Sequence, residues 1–226
     1  MAVSNETICA PINTGTTIMA IEFNCGVIIA ADSRTSGGQY VANRVTDKLT
    51  CISNKIYCCR SGAAADTQTV ADLVQAMVYY ESNSSNRDPL VYYAAMYFRN
   101  IIYHMQGELL AGIIVAGYDD TEGGQVYTIS HVGMVMREPI SVGGSGSTFI
   151  LGFAKDRYHV GMKEDECVAL AVSAIKLAQN FDGSSGGVVR IGIITASGIV
   201  RKIFYNTPEG EEISKVCIGE DWNYGF

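Results

Sequence analysis

The sequence predicts an α+β fold in which two antiparallel sheets lie between helices, and three patterns predict it. Short strands come in hairpin-like pairs near both ends of the chain, which makes the sheets antiparallel. Strands and helices come in blocks rather than in strict alternation, which disfavours Rossmann and TIM arrangements. The helices carry apolar faces that must be covered by a sheet. The 226 residues fit one large domain or two small ones, and with 48% hydrophobic against 17% charged residues the chain can bury a core rather than stay disordered.

Taken in order, Thr16 to Phe23 alternates, with Met19, Ile21 and Phe23 on one face. Asn24-Cys25-Gly26 turns, and Val27 to Ala31 returns as a second strand. Lys55 to Arg60 reads as a strand. From Asp66 the period changes: Val70, Leu73, Val74 and Met77 predict a helix to about Tyr80. Ser82 to Asp88 is polar and reads as a loop, with Asp88 as N-cap and Pro89 in the first turn of a helix reaching about Gln106. That helix is apolar over most of its surface, which predicts burial between layers. Gly112 to Tyr118 and Val126 to Ile129 are strands around a turn at Asp119 to Gly124. Ile140 to Val142 leads into the glycine-rich Gly143 to Gly146. A third helix, about Lys163 to Asn180, presents Cys167, Leu170, Ala171 and Ala174 on one face. Val188 to Thr195 and Ile199 to Tyr205 form a last hairpin around Ser197-Gly198. There is no linker, internal repeat or low-complexity segment. Met1 to Gly15 is patternless, and the tail from Asn206 is polar with a late aromatic cluster of Trp222, Tyr224 and Phe226.

Several function classes are disfavoured. With 16 basic and 23 acidic residues the net charge is −7, without the basic footprint that nucleic acid or an anionic membrane needs. The apolar runs Gly26 to Ala31 and Ala111 to Ala116 are far shorter than the roughly 20 residues of a membrane span. Met1 to Pro11 has neither a basic start nor an apolar stretch, unlike a secretory signal. The seven cysteines, Cys9, Cys25, Cys51, Cys58, Cys59, Cys167 and Cys217, are odd in number and form no C-x-x-C pair. They read as buried free thiols in a reducing compartment, not as a disulfide framework or zinc site. The N-x-[ST] triplets at Asn5 and Asn83 are then chance matches. Adjacent Cys58 and Cys59 would point to opposite faces of a strand.

Gly183-Ser184-Ser185-Gly186-Gly187 matches the G-x-S-x-G elbow of hydrolases, but it runs helix to strand where an elbow runs strand to helix. That fold also needs a histidine downstream, and His104, His131 and His159 all lie upstream. Gly143 to Ser147 lacks the Gly-Lys-[Ser/Thr] of a phosphate loop. The histidines are isolated and read as structural, with no metal spacing.

Catalysis without histidine needs another base. One solution is an amino-terminal nucleophile, a hydroxyl whose proton goes to its own residue's α-amino group, assisted by a lysine or backbone donor. Gly15-Thr16 opens the first strand after the patternless leader, Asp32-Ser33-Arg34 ends the second, and Lys48 follows in Arg44-Val45-Thr46-Asp47-Lys48. A glycine before the nucleophile lets the chain turn tightly enough for the hydroxyl to meet its own carbonyl.

Three stretches, Gly15 to Ala20, Gly26 to Arg34 and Asn43 to Lys48, resemble a catalytic β subunit of the eukaryotic 20S proteasome. So do Cys58 to Gly62, Gly143 to Ser147 and Asp182 to Gly187, and the likeness runs from about Gly15 to Tyr205. It is most like the caspase-like subunit, on Arg60 and the run from Asn43 to Lys48. The resemblance implies the four-layer αββα sandwich of amino-terminal nucleophile hydrolases. It implies a propeptide, residues 1–15, cut between Gly15 and Thr16, followed by a single catalytic domain with a C-terminal tail from about residue 206. It implies Thr16 as nucleophile, Lys48 lowering its pKa, Asp32 holding that lysine charged, and Gly62 supplying the oxyanion N–H. Ser145, Asp182 and Ser185 would support the threonine amine. Arg60 would sit at the base of the substrate pocket and favour acidic side chains, although an arginine at a strand end is commonly a structural ion pair. Thr35, Thr46, Thr50 and Thr67 would wall that pocket, and the Ala64 backbone would pair with the substrate strand. The chain departs from the family's usual serine at Ala63 and threonine at Ser36. The resemblance further implies threonine endopeptidase activity without cofactor or metal, on unfolded polypeptides, in a four-ring core of α and β subunits with regulatory caps. It carries no nucleic acid or membrane partner, and a cytoplasmic and nuclear location. A non-catalytic structural β subunit is the alternative; such subunits usually lose the threonine or the lysine.

Overall fold

A computed structural model describes residues 15–37, 40–205 and the backbone of 213–214. The expectations for the leader before Gly15 and for the tail beyond Tyr205, including Asn5, Cys9, Cys217 and the late aromatics, lie outside the described residues. The strands are β1 (Ile18–Phe23), β2 (Gly26–Ala31), β3 (Thr35–Gly37), β4 (Tyr40–Asn43), β5 (Leu49–Ser53), β6 (Ile56–Gly62), β7 (Ala111–Asp119), β8 (Gly123–Ile129), β9 (Val135–Arg137), β10 (Ile140–Gly143), β11 (Val189–Thr195), β12 (Gly198–Phe204) and β13 (Ile213–Ser214). The helices are α1 (Ala64–Ser85), α2 (Val91–His104), α3 (Ser147–Arg157) and α4 (Glu164–Phe181).

Two antiparallel sheets form, in the orders β10-β1-β2-β11-β12-β13 and β5-β6-β7-β8-β9, with β3 and β4 as a separate ribbon. Strand alternation splits their side chains among three cores. Met19 and Ile21 of β1 pack with Cys167, Ala171 and Ile175 of α4 on the outer face of the first sheet. Ile18, Ala20, Ile29 and Ala31 meet Cys59, Ile114 and Ala116 between the sheets. Ile52, Cys58, Ile113 and Val115 pack with Val70, Val74, Ala94 and Phe98 of α1 and α2 on the outer face of the second sheet. The order is thus helix, sheet, sheet, helix. Each fully buried isoleucine contributes about 1.5–3 kcal/mol, so the three cores together hold the layers in place.

Several local expectations need correction. Helix α1 continues through Ser85 and ends at Asn86, whose left-handed φ of 50° closes the last turn; the loop is correspondingly shorter than expected. Its buried stripe runs through Thr67, Val70, Ala71, Val74 and Val78, while Leu73 and Met77 are exposed. Asp88 does not cap α2. The cap residue is Leu90, and the Val91 N–H donates to Asp119 Oδ2, 3.1 Å away at the end of β7. A long-range carboxylate thus takes the role expected of the local one. Helix α2 buries only one face; Tyr92, Tyr93 and Tyr103 point outward, and His104 is exposed. Helix α3 was not expected, because only Ile150 and Ala154 of its residues are buried and the apolar period is faint. Among the described cysteines Cys25 is exposed and Cys51 half-buried, rather than all being buried. Among the described residues no helix is long and apolar enough to cross a membrane.

Candidate active site

Sheet register gathers the sequence-predicted residues at one end of the sandwich. Ile18 pairs with Ala31 on one side and Gly143 on the other, so the residues just before β1 lie beside those just after β2 and β10. Thr16, Asp32 and Ser145 meet for this reason. On the second sheet Leu49 pairs with Cys59, and the Arg60 N–H donates to the Lys48 carbonyl at 3.1 Å. Asp182 is the C-cap of α4, with its N–H bonded to Ala178 O at 2.7 Å.

Asp32 is fully buried and accepts four hydrogen bonds. Lys48 Nζ and the Thr17 N–H reach Oδ1 at 2.7 and 2.9 Å. The N–H groups of Arg34 and Gly186 reach Oδ2 at 3.1 and 3.0 Å. Lys48 also donates to the carbonyl oxygen of Gly15 at 3.1 Å. Burial lowers the Lys48 pKa, and the attraction of Asp32 only partly offsets it.

The Thr16 hydroxyl donates to that same Gly15 oxygen, so hydroxyl and lysine converge on the peptide bond before Thr16. Gly15 holds a φ of +58°, and a side chain there would collide with Ser184. The Thr16 N–H donates to Ser145 Oγ at 3.0 Å, which donates in turn to Asp182 Oδ2 at 2.7 Å. Ser185 Oγ donates to the same Oδ2 at 2.7 Å, and the Ser184 N–H to Oδ1 at 3.0 Å. Asp182 stands at the negative end of α4, where an anion is disfavoured by the helix dipole. Burial also pushes its carboxyl up, but the bonds from Ser185, Ser145 and Ser184 and the charge of Lys48 outweigh this and hold it below the usual carboxylate range.

Two cavities adjoin Thr16, and Gly62 borders both. Gly62 has a φ of +120°, and a Cβ there would strike the Leu110 carbonyl. One cavity, 210 Å³, is walled by Thr35, Thr46, Arg60, Ala64, Thr67 and Gln68, with Lys48 at its inner edge. Arg60 is half-buried and donates to three neutral acceptors: Thr50 Oγ1 at 2.7 Å, Thr67 Oγ1 at 3.5 Å and the Asp47 carbonyl at 3.3 Å. The Asp47 carboxylate turns away to Arg201, 2.6 Å off. Among the described residues, Arg60 therefore has no carboxylate partner. Thr50 is not on the wall; it stands on β5 and orients Arg60.

The second cavity, 320 Å³, includes Leu110, His131 and Ser145. His131 had no spacing partner in the sequence and read as structural, yet it reaches this wall from the turn after β8. Thr17, Ser184 and Gln68 were likewise missed; the adjacent threonines at a strand start were the one available signal. A larger cavity of 410 Å³, between the β5–β6 turn and the α1–α2 junction, contains none of these residues. Among the described residues no group of three or more His, Cys, Asp or Glu could hold a metal ion.

Four layers with two sheets inside, and a threonine, lysine and carboxylate at one end of them, define the architecture of an amino-terminal nucleophile hydrolase. The chain belongs to the proteasome subunit family: the model of that family, described as "Proteasome subunit", matches residues 12–194. It is 48% identical over 195 residues to proteasome subunit beta type-1 of Saccharomyces cerevisiae, covering 86% of this chain and 90% of that protein. It is 46% identical over 192 residues to proteasome subunit beta type-6 of Dictyostelium discoideum, covering 85% and 90%. It is 45% identical over 204 residues to proteasome subunit beta type-9 of Rattus norvegicus, covering 90% and 91%. These likenesses make it a β-type subunit of the 20S core, which assembles with other proteasome subunits. Because the relatives carry three different type numbers, they do not fix its type.

Proposed function

We propose that this subunit is a threonine endopeptidase that exposes Thr16 by cutting its own chain after Gly15 and then cleaves unfolded polypeptides after acidic residues. The convergence of the Thr16 hydroxyl and the Lys48 amine on the Gly15 carbonyl carries the reading. In the uncut chain the Thr16 nitrogen is an amide that donates to Ser145, so it cannot act as base. Lys48, its pKa lowered by burial, can. A neutral Lys48 keeps two N–H bonds, to Asp32 and to Gly15, and offers its lone pair to the Thr16 proton. The threonine oxygen attacks the Gly15 carbonyl carbon, the C–N bond breaks, and the nitrogen leaves with a proton as a free amine. Water then hydrolyses the resulting ester, releasing residues 1–15 as a carboxylate.

The same oxygen attacks a substrate carbonyl, with the Gly62 N–H receiving the developing negative charge. The substrate's acidic side chain enters the Arg60 cavity and meets a cation that no carboxylate among the described residues neutralises. Ala64, at the start of α1, offers backbone to the extended substrate. The second cavity lies on the leaving-group side, against Ser145 and His131. The same reading includes a cytoplasmic and nuclear location and regulatory caps that control entry of substrate.

Intact-mass measurement of the subunit in assembled particles tests this. The expected chain begins at Thr16. Thr16→Ala retains the leader and, with the other sites of the particle inactivated, cleaves no acidic fluorogenic peptide. A mature particle still carrying residues 1–15, or cleavage that survives Thr16→Ala, would overturn the proposal and leave a structural subunit.

A further inference from the structure

Thr17 follows the proposed nucleophile and is fully buried, but it lines neither cavity beside Thr16. Its hydroxyl lies 2.7 Å from Ser185 Oγ. Ser185 has one proton, and that proton goes to Asp182 Oδ2, since an ionised carboxylate only accepts. Thr17 is therefore the donor. Its backbone N–H meanwhile donates to Asp32 Oδ1, the oxygen that also holds Lys48. One residue thus touches both carboxylates, Asp32 through its main chain and Asp182 through a hydroxyl relay.

The surroundings are shaped to this hydroxyl pair. A Cβ at Gly146 would collide with Thr17 Oγ1 and come within 3.1 Å of Ala178 Cβ and 3.2 Å of Ser185 Oγ. The backbone there is right-handed helical, with φ −78° and ψ −8°, so no backbone strain demands glycine; the outright collision is with the Thr17 hydroxyl.

We infer that Thr17 is a positioning residue: its hydroxyl fixes the direction of the Thr17, Ser185, Asp182 relay, and so aims Asp182 at Ser145 and the Thr16 nitrogen. This rests on the reading of Thr16 as nucleophile and adds a residue that touches no substrate.

The test uses assembled particles with their other active sites inactivated. Thr17→Val keeps the shape and removes the hydroxyl; kcat for an acidic peptide should fall about tenfold with KM within about twofold. Thr17→Ser, which restores the donor, should return kcat to within about threefold. In a Ser185→Ala background, Thr17→Val should cost less than about twofold more, because the relay is already cut. Gly146→Ala displaces the same hydroxyl without altering Thr17, and the same kcat loss is expected. It decides the matter where Thr17→Val does not enter the particle. An equal loss in both backgrounds, no rescue by serine, a loss confined to KM, or normal turnover in Gly146→Ala would overturn the inference. Thr16→Ala run alongside separates the two readings. Activity surviving there removes the nucleophile itself, whereas an inactive Thr16→Ala beside an unimpaired Thr17→Val removes only the role of Thr17.

Discussion

The centre around Thr16 and the cavity around Arg60 share a wall, yet they are built by opposite means. At the centre every charge is answered. Asp32 has an ammonium and three backbone N–H groups, and Asp182 has two hydroxyls and one backbone N–H. In the cavity, among the described residues, Arg60 is held by two threonine hydroxyls and a carbonyl, while the Asp47 carboxylate is paired with Arg201. Buried charge that is fully paired fixes geometry; half-buried charge left with neutral partners remains available to a ligand. On the proposed function, bond making belongs to the first kind of site and selection to the second.

Lys48→Arg tests the centre and has the largest expected effect. Arginine can still answer Asp32, but it cannot give up a proton near neutral pH. Self-processing and peptidase activity should both fall by about three orders of magnitude, in the range that general-base catalysis supplies. Normal processing in this variant, read by intact mass, would mean that Lys48 serves only as a charge. The wild-type rate should show the same chemistry. A base must be neutral to act, so activity rises with pH through the lowered Lys48 pKa and levels off below the ordinary 10.5.

Arg60→Ala tests the cavity. Losing one partner of a largely desolvated charge pair costs about 2–5 kcal/mol. At roughly 1.4 kcal/mol per decade, kcat/KM for acidic peptides should fall by one to three orders. Apolar peptides should lose far less, since the cavity becomes larger and uncharged. Equal losses for both peptide classes would return Arg60 to a structural role and erase the contrast between the regions.

The smallest effect concerns the scaffold of the cavity. Helix α1 carries Ala64 and Thr67, and its N-cap Ala63 has no side-chain cap. Ala63→Ser supplies an oxygen for the Asp66 N–H and should stabilise the first turn by about 1 kcal/mol. Slower hydrogen exchange in that turn, with peptide preference unchanged, is the expected result. No change in protection would show that the turn is held by Thr67, whose hydroxyl already bonds the carbonyls of Ala63 and Ala64.

The legible parts of the sequence were those written in local pattern. The alternation of Met19 and Ile21 against Ile18 and Ala20 separates two cores, and the face of α4 is legible in Cys167, Leu170, Ala171 and Ala174. What escaped was set from far along the chain. Asp119, not Asp88, accepts the first N–H of α2, and α3 gains little of its stability from an apolar stripe. Within the site, Thr16, Asp32 and Lys48 became legible through resemblance, because a Gly-Thr pair, an aspartate and a lysine are ordinary residues singly. Thr17 and His131 lay beyond both routes: their surroundings come from Ser185 and from Leu110 and Ser145, and no spacing within the sequence announces either.

Cys58 and Cys59 are neighbours in β6, but the first lies in the core under α1 and α2 and the second in the core between the sheets. Burial pushes the first thiol up to about 12 and the second well above its ordinary value, so neither reacts while its core stays closed. The chain therefore carries two silent chemical tags, one residue apart, that sample two different seams of the same molecule. A thiol reagent applied in mild denaturant, followed by peptide mapping, reads which seam opens first. Modification at Cys58 before Cys59 means that the helices peel from their sheet, the opposite order means that the sheets part first, and simultaneous modification means that the four layers come apart as one cooperative unit.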